Sequence, residues 1–388
     1  MSRVPLQGAA TILALLGCAS AHRELATDAS PVADAPGPDA PIPSDRWMLG
    51  YYTGYDSWEL PVAGIDWASL THLAVAFYPP DGSNGLDESL ALPAGQGPAL
   101  AQQLVAAAHA NNVKAIATIG GARYSLATAA GSANRAAFVG SIAAMIDSYG
   151  YDGVDIDWEP LEHGDAATLA ALITDLRNAL PAATISLPIL PFNMNHTPDT
   201  ASVATLAPLV DQVNLMSYGM SGTDTGWDSW HSSPLHWNQN DDTPVGIDAT
   251  VDTLLAAGIP AAKLGIGAGF FGQCYTKPVD KPLQALGSAS ISIVDYSVIA
   301  TTYLPATTRQ WDSAALVPYL SFSTPHAPDD CTYITYEDED SLTAKATYAK
   351  GKGLGGLIVW TLNQGYVASA PAGQANHLQD VLWTTFGL

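Results

Sequence analysis

Short apolar runs and helix-period segments alternate along most of the chain, and their order predicts eight strand–helix units from residue 47 to the end. The strand candidates are 48–53, 72–77, 113–119, 153–157, 184–189, 212–216, 264–267 and 356–360. Short, mostly apolar runs of this kind suit strands buried on both faces. Between them, 98–111, 132–149, 165–180 and 341–350 carry helical patterns. Asp165 and Ser341 are placed to cap two of these helices, and Gly150 and Gly351 to end two. Strands and helices in this alternation point to an α/β fold, a (β/α)8 TIM barrel. An open doubly wound sheet is the alternative reading of the same pattern.

Two connections exceed an ordinary loop. Residues 218–246 hold Trp227, Trp230 and Trp237 in a Gly/Ser/Asp-rich stretch. Residues 274–331 separate the seventh strand from the next helix and contain apolar runs of their own, so a small inserted subdomain is expected there. Both follow strand C-termini, the face on which barrels build their sites. The insertion is therefore expected to deepen a cleft on one side.

The first 45 residues break the pattern. Arg3 followed by the apolar run 9–16 reads as an export signal over 1–21, too short to span a bilayer. Leu15-Leu16-Gly17-Cys18 resembles a bacterial lipobox, which would lipidate Cys18 and attach the chain to a membrane. Ala19-Ser20-Ala21 instead fits the small-residue site of ordinary secretion. Residues 22–45, rich in Ala, Pro and Asp, have a disordered tether's composition, and 46–388 form the folded unit. Either cleavage leaves Cys274 and Cys331. In an oxidising compartment an even pair suggests a disulfide, with two buried thiols as the alternative.

Charge narrows the partners. A formal net charge of −23, with only 14 Lys+Arg, argues against nucleic acid and anionic membrane surfaces. It fits a soluble enzyme with a neutral or cationic substrate; a monomer is the expectation for its assembly. No nucleotide-binding glycine loop or metal-ligand cluster is evident, so neither cofactor nor metal is expected.

The chemistry concentrates in residues 152–159, Asp-Gly-Val-Asp-Ile-Asp-Trp-Glu. Asp155, Asp157 and Glu159 alternate with Val154, Ile156 and Trp158. Side chains in a strand change face at every residue, so the acids share one side and the apolar residues the other. A calcium loop would want oxygen ligands on a flexible segment turned by glycine. The interleaved Val, Ile and Trp argue against one, and Gly153 comes too early. A row of acids backed by packing residues suits proton transfer and stabilisation of a developing positive charge. Neighbouring carboxylates cannot all ionise cheaply, so the row should titrate as a unit and Glu159 should hold its proton more tightly. Asp152 stands at odd spacing and should face away.

With these residues in view, the chain resembles glycoside hydrolase family 18, the chitinase and endo-β-N-acetylglucosaminidase family. The signature Asp-x-x-Asp-x-Asp-x-Glu is complete at Asp152, Asp155, Asp157 and Glu159. Gly50-Tyr51-Tyr52, Thr118-Ile119-Gly120-Gly121, Met216-Ser217-Tyr218, Ser233-Pro234-Leu235 and Gly353-Leu354-Gly355-Gly356 leading to Trp360 follow in the family's order. The resemblance implies hydrolysis of β-1,4 bonds in N-acetylglucosamine polymers with retention, Glu159 being the general acid and base. It implies that the substrate's own acetamido oxygen is the nucleophile. Asp157 would orient that acetamide, Tyr218 would donate to it, and Asp155 would share a proton with Asp157, held by Tyr51 and Thr118. Trp360 would floor the cleaved sugar's subsite, Met216 and Phe77 would line it, and Trp227 would stack on sugar from its loop. N-glycan or peptidoglycan cleavage, and a chitin-binding lectin without activity, are the alternatives. Gly219, Gln273 and Ala122 stand where the family often has Asp, Arg and an aromatic, each loss removing a contact to sugar.

Overall fold

The computed structural model describes residues 46–388 apart from 162–163, 193–198, 224–225 and 238–245. The proposed signal 1–21, Cys18 and the tether 22–45 lie outside the described residues.

The apolar runs become the strands expected. β1 (Trp47–Thr53), β2 (His72–Tyr78), β3 (Lys114–Gly120), β4 (Gly153–Asp157), β5 (Thr184–Ile189), β6 (Gln212–Leu215) and β7 (Leu264–Gly269) are almost wholly buried. The eighth barrel strand, Gly356–Trp360, comes after five strands of a second sheet and is β13 in chain order. The barrel order is β1-β13-β7-β6-β5-β4-β3-β2, and each neighbouring pair is parallel. Closure excludes the open-sheet alternative. Backbone edges are thereby removed, and each strand divides its side chains between the barrel interior and the surrounding helices.

β4 shows that division. Val154, Ile156 and Trp158 join the large core between barrel and helices. Asp155 and Asp157 turn to the interior, where Trp47, Leu49, Tyr51, Ala74, Ile116, Met216 and Ile358 pack. Asp152 faces away, as its spacing implied. It accepts from Ala115 N–H at 2.8 Å and pairs with His109 Nε2 at 2.9 Å.

Helix ends depart from expectation more than helix positions do. Gly150 does end the helix Arg135–Tyr149 in a left-handed conformation, φ 76°. Asp165 stands at the N-cap of Ala166–Ala179 but makes no capping bond. Asp338, not Ser341, caps the helix Glu339–Gly351: its carboxylate accepts from the N–H groups of Asp340 and Ser341. Ser341 Oγ accepts the reciprocal bond from Asp338 N–H at 2.9 Å, so it is the second half of a capping box. Gly351 is still helical, and Gly353 takes the left-handed turn at φ 68°.

The insertion begins immediately after β7 and is slightly wider than the 274–331 expected. β8 (Phe271–Tyr275), β9 (Ile291–Asp295), β10 (Gln310–Asp312), β11 (Val317–His326) and β12 (Cys331–Thr335) form an antiparallel sheet in the order β10-β11-β12-β8-β9. A disulfide joins Cys274 and Cys331 across the neighbouring strands β8 and β12. Trp227 belongs to this small unit. It is buried among Tyr275, Val279, Leu286 and Tyr333, so it is not a sugar-stacking residue. Its flat apolar area completes a core too small to close by itself.

Candidate active site

A cavity of about 570 Å³ opens at the C-terminal ends of the barrel strands. Asp157, Glu159, Tyr218, Met216, Tyr51, Phe77 and Trp360 all line it. Residues from widely separated segments thus meet in one hollow. Asp155 lies behind this wall, fully buried.

Backbone geometry at two places allows this convergence. Gly120 and Gly121 leave β3 at φ 109° and 106°, and Gly121 N–H donates to Asp157 carbonyl oxygen at 2.8 Å. A Cβ on Gly120 would stand 2.2 Å from that same oxygen, so only glycine lets the two strand ends approach. On the opposite side, a Cβ on Gly267 would lie 2.6 Å from the Tyr218 ring. β7 is bare there because the tyrosine occupies the space.

Trp360 is held by aromatic neighbours. Tyr51 and Phe77 lie 5.2 and 5.6 Å away in tilted arrangements, and Tyr218 is nearly parallel at 6.5 Å. Such ring pairs contribute about 0.5–1.5 kcal/mol each beyond burial. Just past Trp360, Asn363 accepts from Thr53 N–H at 2.9 Å and donates to Asp56 carbonyl oxygen at 3.0 Å. The ends of β13 and β1 are thereby tied together at the cavity's edge.

Tyr51 OH donates to Asp155 Oδ2 at 3.0 Å. Thr118 stands across β3–β4 from Asp155 in register, but its buried hydroxyl makes no well-formed hydrogen bond. The expectation that both residues hold Asp155 is met by Tyr51 alone, since the Thr118 hydroxyl finds no partner. Below this layer Ser186 accepts from Asn214 Nδ2 at 2.8 Å, and Asn214 Oδ1 accepts from Trp47 Nε1 at 3.0 Å. Asp155 Oδ1 and Asp157 Oδ1 are buried without a hydrogen-bond donor.

The carboxyls feel this burial. Desolvation pushes Asp155 up to about 6, against the stabilising hydroxyls of Ser186, Tyr51 and Thr118. Asp157 is driven well above the usual range by burial, then by the charges of Glu159 and Asp155. Glu159 is raised by burial, with its contact to Asp157 pulling the other way. The Asp157–Glu159 pair consequently keeps a proton at pH values where isolated carboxyls have lost theirs. Burial and the three nearby acids also keep Tyr218 protonated, so its hydroxyl is a donor. An arrangement of this kind can deliver a proton and then stabilise a cation in the same hollow.

Several features differ from expectation. The cavity lining includes no residue of β8–β12, so the insertion does not deepen it. Phe271 instead braces Tyr218 from behind, edge-on at 6.1 Å. Gln273 turns into the seam beneath the insertion, where its Nε2 donates to Ser221 carbonyl oxygen at 2.9 Å. Tyr55, Arg123 and Tyr124 enter the lining although no motif marks them. Ala122 does lack a ring, yet Tyr124 supplies one two residues later. The only signal for these was position, since each follows the end of a barrel strand.

An acid row at the mouth of a closed parallel barrel, with an indole in the same lining, defines the glycoside-hydrolase class of site. The chain belongs to the glycosyl hydrolases family 18, whose family model matches residues 48–365. Endochitinase 1 of Metarhizium robertsii is 30% identical over 273 residues, covering 64% of this chain and 61% of that protein. Chitinase A1 of Niallia circulans is 28% identical over 291 residues, covering 65% of this chain and 40% of that one. The chain thus spans less than two thirds of the length of either relative. The crystal structure of the Ostrinia furnacalis Group IV chitinase superposes with a TM-score of 0.74 at 21% identity, covering 89% of this chain and all of that one. The likeness to that structure is one of fold.

Proposed function

We propose that the protein hydrolyses β-1,4 glycosidic bonds in chitin or chitooligosaccharides, with retention of configuration and with the substrate's acetamido group as nucleophile. The observation that carries this reading is the row Asp155, Asp157 and Glu159, two of its members facing one cavity that Trp360 also lines. Glu159 lines that cavity, is half-buried and holds its proton more tightly than a free glutamate. It donates the proton to the leaving oxygen and later takes one from water. Asp157 has a buried oxygen without a donor, the partner an acetamido N–H requires. Its charge, once formed, stabilises the cyclic cation made when the acetamido oxygen attacks.

No second protein nucleophile is needed, which distinguishes this family from the two-carboxylate scheme. Attack from within the bound sugar exploits effective molarities of about 10⁵–10⁸ M. The chitinases among the relatives support the substrate class.

Glu159→Gln tests the reading. Turnover of chitooligosaccharides should fall by about 10²–10⁴, the usual contribution of a general acid, while binding by calorimetry persists. Near-normal turnover would remove Glu159 from the role.

A further inference from the structure

Among the described residues there are five arginines, and four have partners. Arg135 pairs with Asp175, Arg177 with Asp211 and Arg309 with Asp338 and Asp340. Arg46 donates to Phe386 carbonyl oxygen and lies over its ring. Arg123 alone has neither an ion pair nor a hydrogen bond. It is also the one arginine that lines the cavity. In a chain of 37 acids and 14 Lys+Arg, a guanidinium without a carboxylate opposite it is conspicuous. Asp87 lines the same cavity and accepts from Ser89 N–H at 2.8 Å, but it forms no ion pair with Arg123.

Two exposed tyrosines accompany Arg123. Tyr55 and Tyr124 are 42% and 41% exposed, two of the few large apolar side chains left open to solvent, and both line the cavity. The positive charge of Arg123 is felt at the Tyr55 hydroxyl, so the two groups are close. Phenol faces accept sugar C–H surfaces, and a planar five-donor fork accepts a carboxylate through two parallel hydrogen bonds. A neutral hydroxyl needs no such fork.

We propose that Arg123, flanked by Tyr55 and Tyr124, is a specificity site for a carboxylate carried by a sugar of the bound chain, away from the bond that is cut. The simplest such group is the lactyl ether carboxylate of a chain alternating N-acetylglucosamine and N-acetylmuramic acid. The inference rests on the glycosidase reading for its location and extends the substrate class to acidic aminosugar polymers. The site counters the repulsion that the acid row and a net charge of −23 would otherwise exert on such a chain.

Binding separates the two readings. Two alternating tetrasaccharides are titrated by calorimetry into the Glu159→Gln protein, one with the lactyl carboxylate intact and one with it reduced to the alcohol. The acid form should bind about tenfold more tightly, as a charge-assisted hydrogen bond at a partly exposed site allows. Adding Arg123→Gln should erase the difference. Arg123→Lys, which keeps charge but loses the fork, should retain part of it. The preference should shrink as salt rises, since the site is open to solvent. Equal affinity for the two forms, a preference that survives Arg123→Gln, or binding of neither overturns the proposal. Hydrolysis is measured in parallel on the unsubstituted protein with neutral chitooligosaccharides. Its absence refutes the glycosidase reading, while the binding ratio alone decides the role of Arg123.

Discussion

Asp155→Asn should trade activity for stability, and the trade should depend on pH in a calculable way. Asp155 is fully buried, and its carboxyl titrates at about 6 in the folded chain against an ordinary 3.8. The folded state therefore holds the proton more tightly than the unfolded state does. For a raised group of this kind, the stabilising contribution is complete below the unfolded value and is lost as pH climbs through the folded one. At pH 8 the loss is the whole interval of about 2.2 pH units, about 3 kcal/mol at ~1.36 kcal/mol per unit. At pH 4.5 the unfolded chain has largely ionised while the folded one has not, and the loss is about 1 kcal/mol. Asparagine has the same shape, never ionises, and can still accept from Tyr51 OH. The stability difference between Asp155→Asn and the parent should thus move by about 2 kcal/mol in the variant's favour from pH 4.5 to pH 8. Relief of Asp157, which Asp155 also pushes upward, acts in the same direction. Urea unfolding followed by tryptophan fluorescence at the two pH values measures this contrast, and any constant offset from the amide cancels. Chitooligosaccharide turnover of the variant should fall, because removing the Asp155 charge lowers the proton affinity of the neighbouring Asp157–Glu159 pair. A stability difference that is flat with pH would show that Asp155 is not a raised, buried carboxyl.

Two other outcomes are expected. Cellooligosaccharides, which lack the 2-acetamido group, should be inert under conditions where chitooligosaccharides are cleaved; comparable rates in a reducing-end assay would exclude the assisted mechanism. Replacing Cys274 and Cys331 by serine opens a loop with a sequence separation of 57, worth about 4 kcal/mol by chain entropy, so unfolding should shift to lower urea. An unchanged midpoint would mean that the bond contributes nothing to the insertion's stability.

Much of the site was legible because strand geometry is local. The alternation at 154–159 requires Asp155 and Asp157 to share a face whatever the rest of the chain does, and Val154, Ile156 and Trp158 duly lie in the outer core. Asp152 could be set aside on spacing alone, and it does face away. Trp227 could not be judged in this way. A tryptophan in a loop can serve a sugar or a small core, and the distinction depended on Tyr275, Val279, Leu286 and Tyr333, about 50 to 110 residues downstream. The same holds for Ser341, whose role in its helix start depended on which residue turned out to be the cap.

From the linear chain alone came the strand periods and the acid row, since each depends on residues within a few positions. Tertiary structure decided which loops close over the barrel mouth. It brought Tyr55, Arg123 and Tyr124 to the cavity, kept β8–β12 out of its lining and placed Asp155 behind its wall. The physical reason is that a strand's facing is set by its own dihedral angles, whereas a loop's path is set by contacts with segments far away in sequence.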